Sequence, residues 1–147
     1  MIGMVDIYIN REEQNVLLQV SHKNTIGFGQ TMGDLREVSY EELKEGVNEG
    51  LKTSLKYYEI DVEATEFWKK TKYRSWKKFF SKHDLISVNY DTEETEEKRY
   101  EIFLWEKELK TNSYTTAKKE NVFFLSREEF ETKFYTVFDT LRSRIEE

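Results

Sequence analysis

The apolar positions of this chain change period several times, and each change marks an element. Val5-Asp6-Ile7-Tyr8-Ile9 alternates and is rich in β-branched residues, which predicts a strand. Val16-Leu17-Leu18-Gln19-Val20 predicts a second strand, and the polar stretch 10–15 between them predicts a hairpin turn. Residues 21–33 carry Gly27, Gly29 and Gly33 and read as a loop. Leu43, Val47, Leu51, Leu55 and Tyr58 then recur at helical spacing. They follow Ser39-Tyr40-Glu41-Glu42, a capping-box pattern in which Ser39 accepts from the Glu42 amide and Glu42 reaches back to the Ser39 amide. Gly46 and Gly50 weaken that helix but permit close packing on one side. The connection ends near Asp61 and Val62, and 63–73 reads as a second short helix. A further helix opens at Ser75, with Trp76, Phe79 and Phe80 on one face and Lys77, Lys78 and Lys82 on the others.

The back half begins with a strand over 85–90, followed by an acidic, solvated hairpin loop over 91–98. Residues 99–109 alternate, with Tyr100, Ile102 and Leu104 on one face and Glu101, Phe103 and Trp105 on the other, so this strand lies inside a sheet. A polar strand or loop follows over 111–116, then a short apolar strand over 121–125. Ser126-Arg127-Glu128-Glu129 repeats the capping box, and Phe130, Phe134, Val137 or Phe138, Leu141 and Ile145 line one stripe of the last helix. Arg142 and Arg144 suit its C-terminal end. Strands precede a Ser-x-Glu-Glu helix in each half, an echo that either duplication or the frequency of capped helices explains. The expected fold is α+β: an antiparallel sheet of about five or six strands with helices packed mainly on one face.

Composition adds scale. At 147 residues the chain makes one domain, 1–147, long enough to bury about 70% of its unfolded surface. Hydrophobic content is only 37% against 35% charged residues, but aromatics at 15% each bring a large buried area, so a folded domain is expected rather than a disordered chain. With no cysteine there is no disulfide frame, which fits a cytoplasmic protein. Apolar runs are too short to span a membrane, and no basic-then-apolar leader follows Met1.

Charge is unevenly placed. The segment Trp68–Tyr90 holds two of the three tryptophans, and seven of its cations (Lys69, Lys70, Lys72, Arg74, Lys77, Lys78, Lys82) occur with no acid among them. Residues 1–68 carry six basic and thirteen acidic side chains, and residues 84–147 ten and sixteen. Lysines interleaved with Trp68, Tyr73 and Trp76 could track phosphates and stack bases, or lie on a membrane surface. The acidic flanks repel a polyanion, so the favoured reading is a solvated basic face over an aromatic core, with nucleic-acid or membrane-surface adaptor as the alternative.

Catalytic chemistry has little to work with. The two histidines, His22 and His83, come from distant segments, and His83 has a simpler role finishing a helix. Gly27, Gly29 and Gly33 are spaced G-x-G-x-x-x-G with no Gly-Lys-Ser/Thr after them, which does not make a phosphate loop. Any metal would need a carboxylate-dominated site, and none is spaced for it; no cofactor or metal is expected. The acids instead form two sets, Glu41, Glu42, Glu45 and Glu49 on the first helix and Glu93, Glu94, Glu96 and Glu97 in the hairpin loop. Either could meet a basic protein partner.

Ser75-Trp76-Lys77-Lys78-Phe79-Phe80 running into Leu85-Ile86-Ser87-Val88, then Tyr100-Glu101-Ile102-Phe103, then Ser126-Arg127-Glu128-Glu129-Phe130, resembles the pattern of immunity proteins of bacterial contact-dependent growth inhibition, or polymorphic-toxin, systems. Ser39-Tyr40-Glu41-Glu42-Leu43 resembles a comparable element of the front half. The pattern covers roughly two-thirds of the chain. It departs at 111–120, which lacks the family's proline and arginine. The resemblance implies a non-enzymatic cytoplasmic inhibitor whose partner is the C-terminal domain of a cognate toxin, a nuclease being one candidate class, with no direct nucleic-acid or membrane contact. The expected partner-binding residues are the two glutamate sets. The oligomeric state is left open.

Overall fold

In the computed structural model, which describes residues 1–23, 29–57 and 66–146, eight strands and three α-helices follow one another. The strands are β1 (Ile2–Ile9), β2 (Val16–Lys23), β3 (Gly29–Val38), β4 (Asp84–Asp91), β5 (Tyr100–Leu104), β6 (Glu106–Glu108), β7 (Ser113–Thr115) and β8 (Val122–Leu125). The helices are α1 (Leu43–Lys56), α2 (Trp76–Lys82) and α3 (Arg127–Ser143). Six strands form one antiparallel sheet in the order β3-β2-β1-β4-β5-β8, and β6 and β7 form a separate hairpin. The expected α+β class and strand number hold, and β5 does lie inside the sheet.

Alternation along β1 sets the two faces. Val5, Ile7 and Ile9 join Ile86 and Val88 of β4 under α1 and α3. The apolar stripe of α3 lands there as the periodicity requires: Phe130, Phe134, Phe138 and Leu141 are buried, and Val137 is buried beside Phe138. Phe130 stacks on Tyr100 of β5 with ring centroids 4.2 Å apart. Each such side chain, fully buried, contributes about 1.5–3 kcal/mol of transfer free energy.

The other face carries Tyr8, Leu85, Phe67 and Phe79, so α2 packs opposite the two long helices and at one end only. Trp76 donates from Nε1 to the Asn112 carbonyl at 2.6 Å, and Lys107 donates to the Phe80 carbonyl at 2.7 Å, so the β6–β7 hairpin holds α2 down. Between these groups lies a buried polar pin. Asp6 accepts from Ser21 Oγ at 2.9 Å and Ser87 Oγ at 2.6 Å, and Trp105 Nε1 donates to Ser87 Oγ at 2.7 Å. A one-residue slip of β1 would move this carboxylate onto the apolar face, so the pin fixes register.

Three expectations are corrected. The Gly-bearing loop is in part a strand: Gly29 and Gly33 lie in β3, which pairs along β2 as an edge, while Gly27 lies outside the described residues. Its few apolar positions hid its period. The alternating run 99–109 is not one strand; the ladder ends at Leu104, Trp105 keeps a last bond to the Leu85 carbonyl, and 106–108 turns into the β6–β7 hairpin, leaving Leu109 at 74% exposure. The capping box at Ser39 does not form. Glu42 and Leu43 donate to the Ser39 and Tyr40 carbonyls in a tight turn, and Ser39 Oγ merely donates to Glu42 Oε1. Tyr40 causes this: its hydroxyl bonds Asp139 at 2.7 Å and its ring packs on Tyr135, which draws the first turn onto α3. Tyr58, Asp61 and Val62 fall outside the described residues, and of the helix expected over 63–73 the described part is a 3₁₀ turn, Phe67–Lys70.

Candidate partner-binding surface

The hairpin joining β4 to β5 projects its acids from a backbone tied at several points. Asp91 donates its amide to the Arg99 carbonyl at 3.0 Å, and Asp91 Oδ1 accepts from the Glu93 amide at 2.9 Å. A 3₁₀ turn, Glu96–Lys98, follows, and Arg99 donates to the Thr92 carbonyl at 3.2 Å. Glu93, Glu94, Glu96 and Glu97 are all exposed on this frame.

Their roles differ. Glu96 faces inward: it accepts from the Arg127 amide at 3.1 Å, at the positive start of α3, and pairs with Arg99 at 3.7 Å. Glu93 stands 3.9 Å from the Met1 ammonium. Glu94 and Glu97 have no ion pair among the described residues. Beside them lies a shallow cleft of about 350 Å³ whose walls include Asp91, Glu94, Glu101 and Phe124. Burial pushes the Glu101 carboxyl above its ordinary range, Asp91 and Glu94 push it further, and its bond from Asn89 opposes them. Lys98 and Arg99 line the same cleft, so its three acids face two cations and only a small excess of negative charge is left. Phe124, on the edge strand β8, is 45% exposed, with Lys98 5.4 Å above its ring.

The second acidic set lies elsewhere. Glu41 and Glu42 are exposed in the turn before α1, and Glu45 and Glu49 on α1 itself, which starts beside the Val16–Val38 end of the sheet, whereas the hairpin leaves from the Ile2–Asp91 end. Glu49 pairs with Arg36 at 3.5 Å. The fold keeps the two sets at opposite ends, so they do not make one surface.

The basic segment folds as a wet face over an aromatic core. All seven of its cations are exposed, while Phe79 and Phe80 are buried. Lys69 pairs with Glu66, and Lys72 with Glu13 at 3.5 Å. The histidines are far apart: His22 lies in β2 opposite Gln30, and His83 ends α2 with Nδ1 donating to the Phe79 carbonyl at 2.8 Å. Among the described residues no group of three or more acidic or histidine side chains could hold a metal, and no helix is long and apolar enough to cross a membrane.

Sequence reasoning located the hairpin glutamates but missed Asp91, Glu101 and Phe124. Phe124 was legible in part: in Val-Phe-Phe-Leu one parity faces the helices, so the other must face out. No family model and no curated protein matches this chain. Among solved structures, a protein of unknown function from Neisseria meningitidis, NMB0488, superposes over 95% of this chain and 95% of its own with a TM-score of 0.62 at 10% identity, a likeness of fold.

Proposed function

We propose that this chain is a cytoplasmic immunity protein that binds and neutralises a cognate toxin domain of a contact-dependent growth inhibition system, without catalysis of its own. The observation that carries the reading is the hairpin end, which exposes Glu93, Glu94 and Glu97 beside a cleft lined by Asp91, Glu94, Glu101, Lys98, Arg99 and the exposed Phe124 ring. Such a surface suits a basic partner, and a nuclease is basic where it holds phosphates. The sequence resemblance to immunity proteins supports the same reading. The partner's Lys or Arg would pair with Glu94 and Glu101, and Phe124 would seat in an apolar hollow of the toxin.

The test begins with the upstream reading frame, which the proposal expects to encode a large secreted protein with a variable C-terminal domain, and uses that domain as the ligand. Glu93, Glu94 and Glu97 are reversed to Lys together, leaving Glu96 because it holds the start of α3. Association should slow by about tenfold or more at low salt and lose most of its salt dependence. Phe124→Ala should instead speed dissociation by about tenfold. Unchanged rates in both variants would overturn the assignment of this surface. The runner-up rests on Arg74, Lys77, Lys78 and Lys82, exposed and without ion pairs among the described residues. Salt-dependent retention on heparin would favour that adaptor reading.

A further inference from the structure

Away from the hairpin, at the other end of the sheet and on the face that carries α2, a cleft of about 390 Å³ opens between β2–β3 and the 3₁₀ turn with the loop that follows it. Its size falls in the range of small-molecule sites. The floor is aromatic: Tyr8, Phe67 and His83 are 4%, 4% and 3% exposed, and all three line the opening. Leu35 of β3 closes one side and Tyr73 the other. Tyr73 is held in place by the Asn10 side chain, which donates to its hydroxyl at 3.0 Å.

His83 gives the cleft its chemistry. A carbonyl can only accept, so the 2.8 Å contact to the Phe79 carbonyl places the ring proton on Nδ1. Nε2 is then a lone-pair acceptor, and it has no partner among the described residues. Stacking on Phe79, with centroids 4.1 Å apart, fixes the ring plane. Burial holds the imidazole below its ordinary pKa, the Phe79 bond opposing, so the acceptor persists at neutral pH. Rim charges cancel: Glu13 and Glu37 face Lys70 and Lys72, with Lys72 on Glu13 at 3.5 Å and Asn15 on Glu37 at 3.3 Å. The site therefore has no net demand for an ion.

We infer that this cleft binds a small neutral aromatic molecule carrying one hydrogen-bond donor, of the phenol or indole class, its ring against Tyr8 and Phe67 and its donor on His83 Nε2. The inference is independent of the toxin-binding reading, since the two sites share no residue. It is tested by titrating the isotope-labelled full chain with indole and, separately, with 1-methylindole, which keeps the shape and lacks the donor. Indole should saturate on the order of a millimolar, shifting the His83 ring resonances and those of Tyr8 and Leu35. 1-Methylindole should bind about tenfold more weakly. His83→Phe should abolish that preference, and Leu35→Trp should close the cleft to both. Equal affinity for the two indoles would overturn the donor assignment. Absent saturation, or shifts confined to other regions, would overturn the site. The comparison of the two indoles needs no variant, so it stands even if a substitution unfolds the chain.

Discussion

Alanine at Gly46 and at Gly50 should have opposite effects, although both replace a glycine in the middle of α1. In each case the helix gains about 1 kcal/mol of intrinsic propensity. A Cβ at Gly50 would sit 2.7 Å from Val5 Cγ2 and 3.4 Å from Val20 Cγ2. Val5 is 0% exposed at the centre of the sheet and its β-branched side chain is restricted at χ1, so although both glycines border the same hollow, relief at Gly50 means forcing Val5 off its preferred rotamer or lifting α1 from β1. Such overpacking costs about 1–3 kcal/mol. Gly50→Ala should therefore lose about 1 kcal/mol net. At Gly46 the new Cβ meets only Leu18 Cδ1 at 2.8 Å, with the next neighbour, Val38 Cγ1, at 3.8 Å. Leu18 ends in a flexible isobutyl group that can swing into the adjoining hollow of about 250 Å³. Gly46→Ala should therefore gain about 0.5 kcal/mol, the propensity less a small repacking cost. Urea denaturation followed by tryptophan fluorescence and far-UV circular dichroism would measure both. Equal stabilisation by the two alanines would refute the close approach of α1 to Val5.

Ser126→Ala should cost about 1 kcal/mol because the serine accepts from the Glu129 amide in a complete capping box, whereas Ser39→Ala, with no cap bond to lose, should cost only a few tenths; paired denaturation curves decide it. His83 binds its proton less readily when folded, owing first to burial, with Lys107 and Lys72 adding to this and the Phe79 carbonyl and Glu13 opposing. Its contribution is therefore lost as pH falls below the ordinary 6.5, and His83→Gln should flatten stability measured between neutral pH and mild acid. Asp6 has the opposite sign: burial raises its pKa against the bonds from Ser87 and Ser21, so its contribution weakens as pH rises above the ordinary 3.8. Asp6→Asn, which keeps an acceptor for Ser87 and lets Ser21 turn to accept, should be more stable than the parent at pH 7.

Elements with a strong period were legible in advance. Phe130, Phe134, Phe138 and Leu141 describe α3 wherever its partner lies, because a helical stripe depends only on spacing. β3 was hidden because Leu35 and Val38 are three apart and a register irregularity between Leu18 and Val20 breaks the alternation they serve. The cap at Ser39 failed for a tertiary reason, the pull of Tyr135 and Asp139 on Tyr40. At the candidate surface, exposure of the hairpin acids follows from charge alone. That Glu96 holds α3 while Glu94 is left to solvent depends on where residue 127 arrives, which no local pattern contains. The cleft around His83 needs side chains from near residues 8, 17, 35, 67 and 73 together, so only the fold reveals it.

The strand order β3-β2-β1-β4-β5-β8 reads the same from either end: three strands and a long helix, twice, joined along β1 and β4. That junction is a continuous ladder from Ile2 opposite Asp91 to Ile9 opposite Asp84. Cleaving the backbone between Tyr57 and Glu66 would leave two pieces, each with a bare inner strand and half a core, and each the natural complement of the other. Split-protein reassembly is thus built into this architecture, and so is its hazard: two intact molecules can trade halves through the same seam.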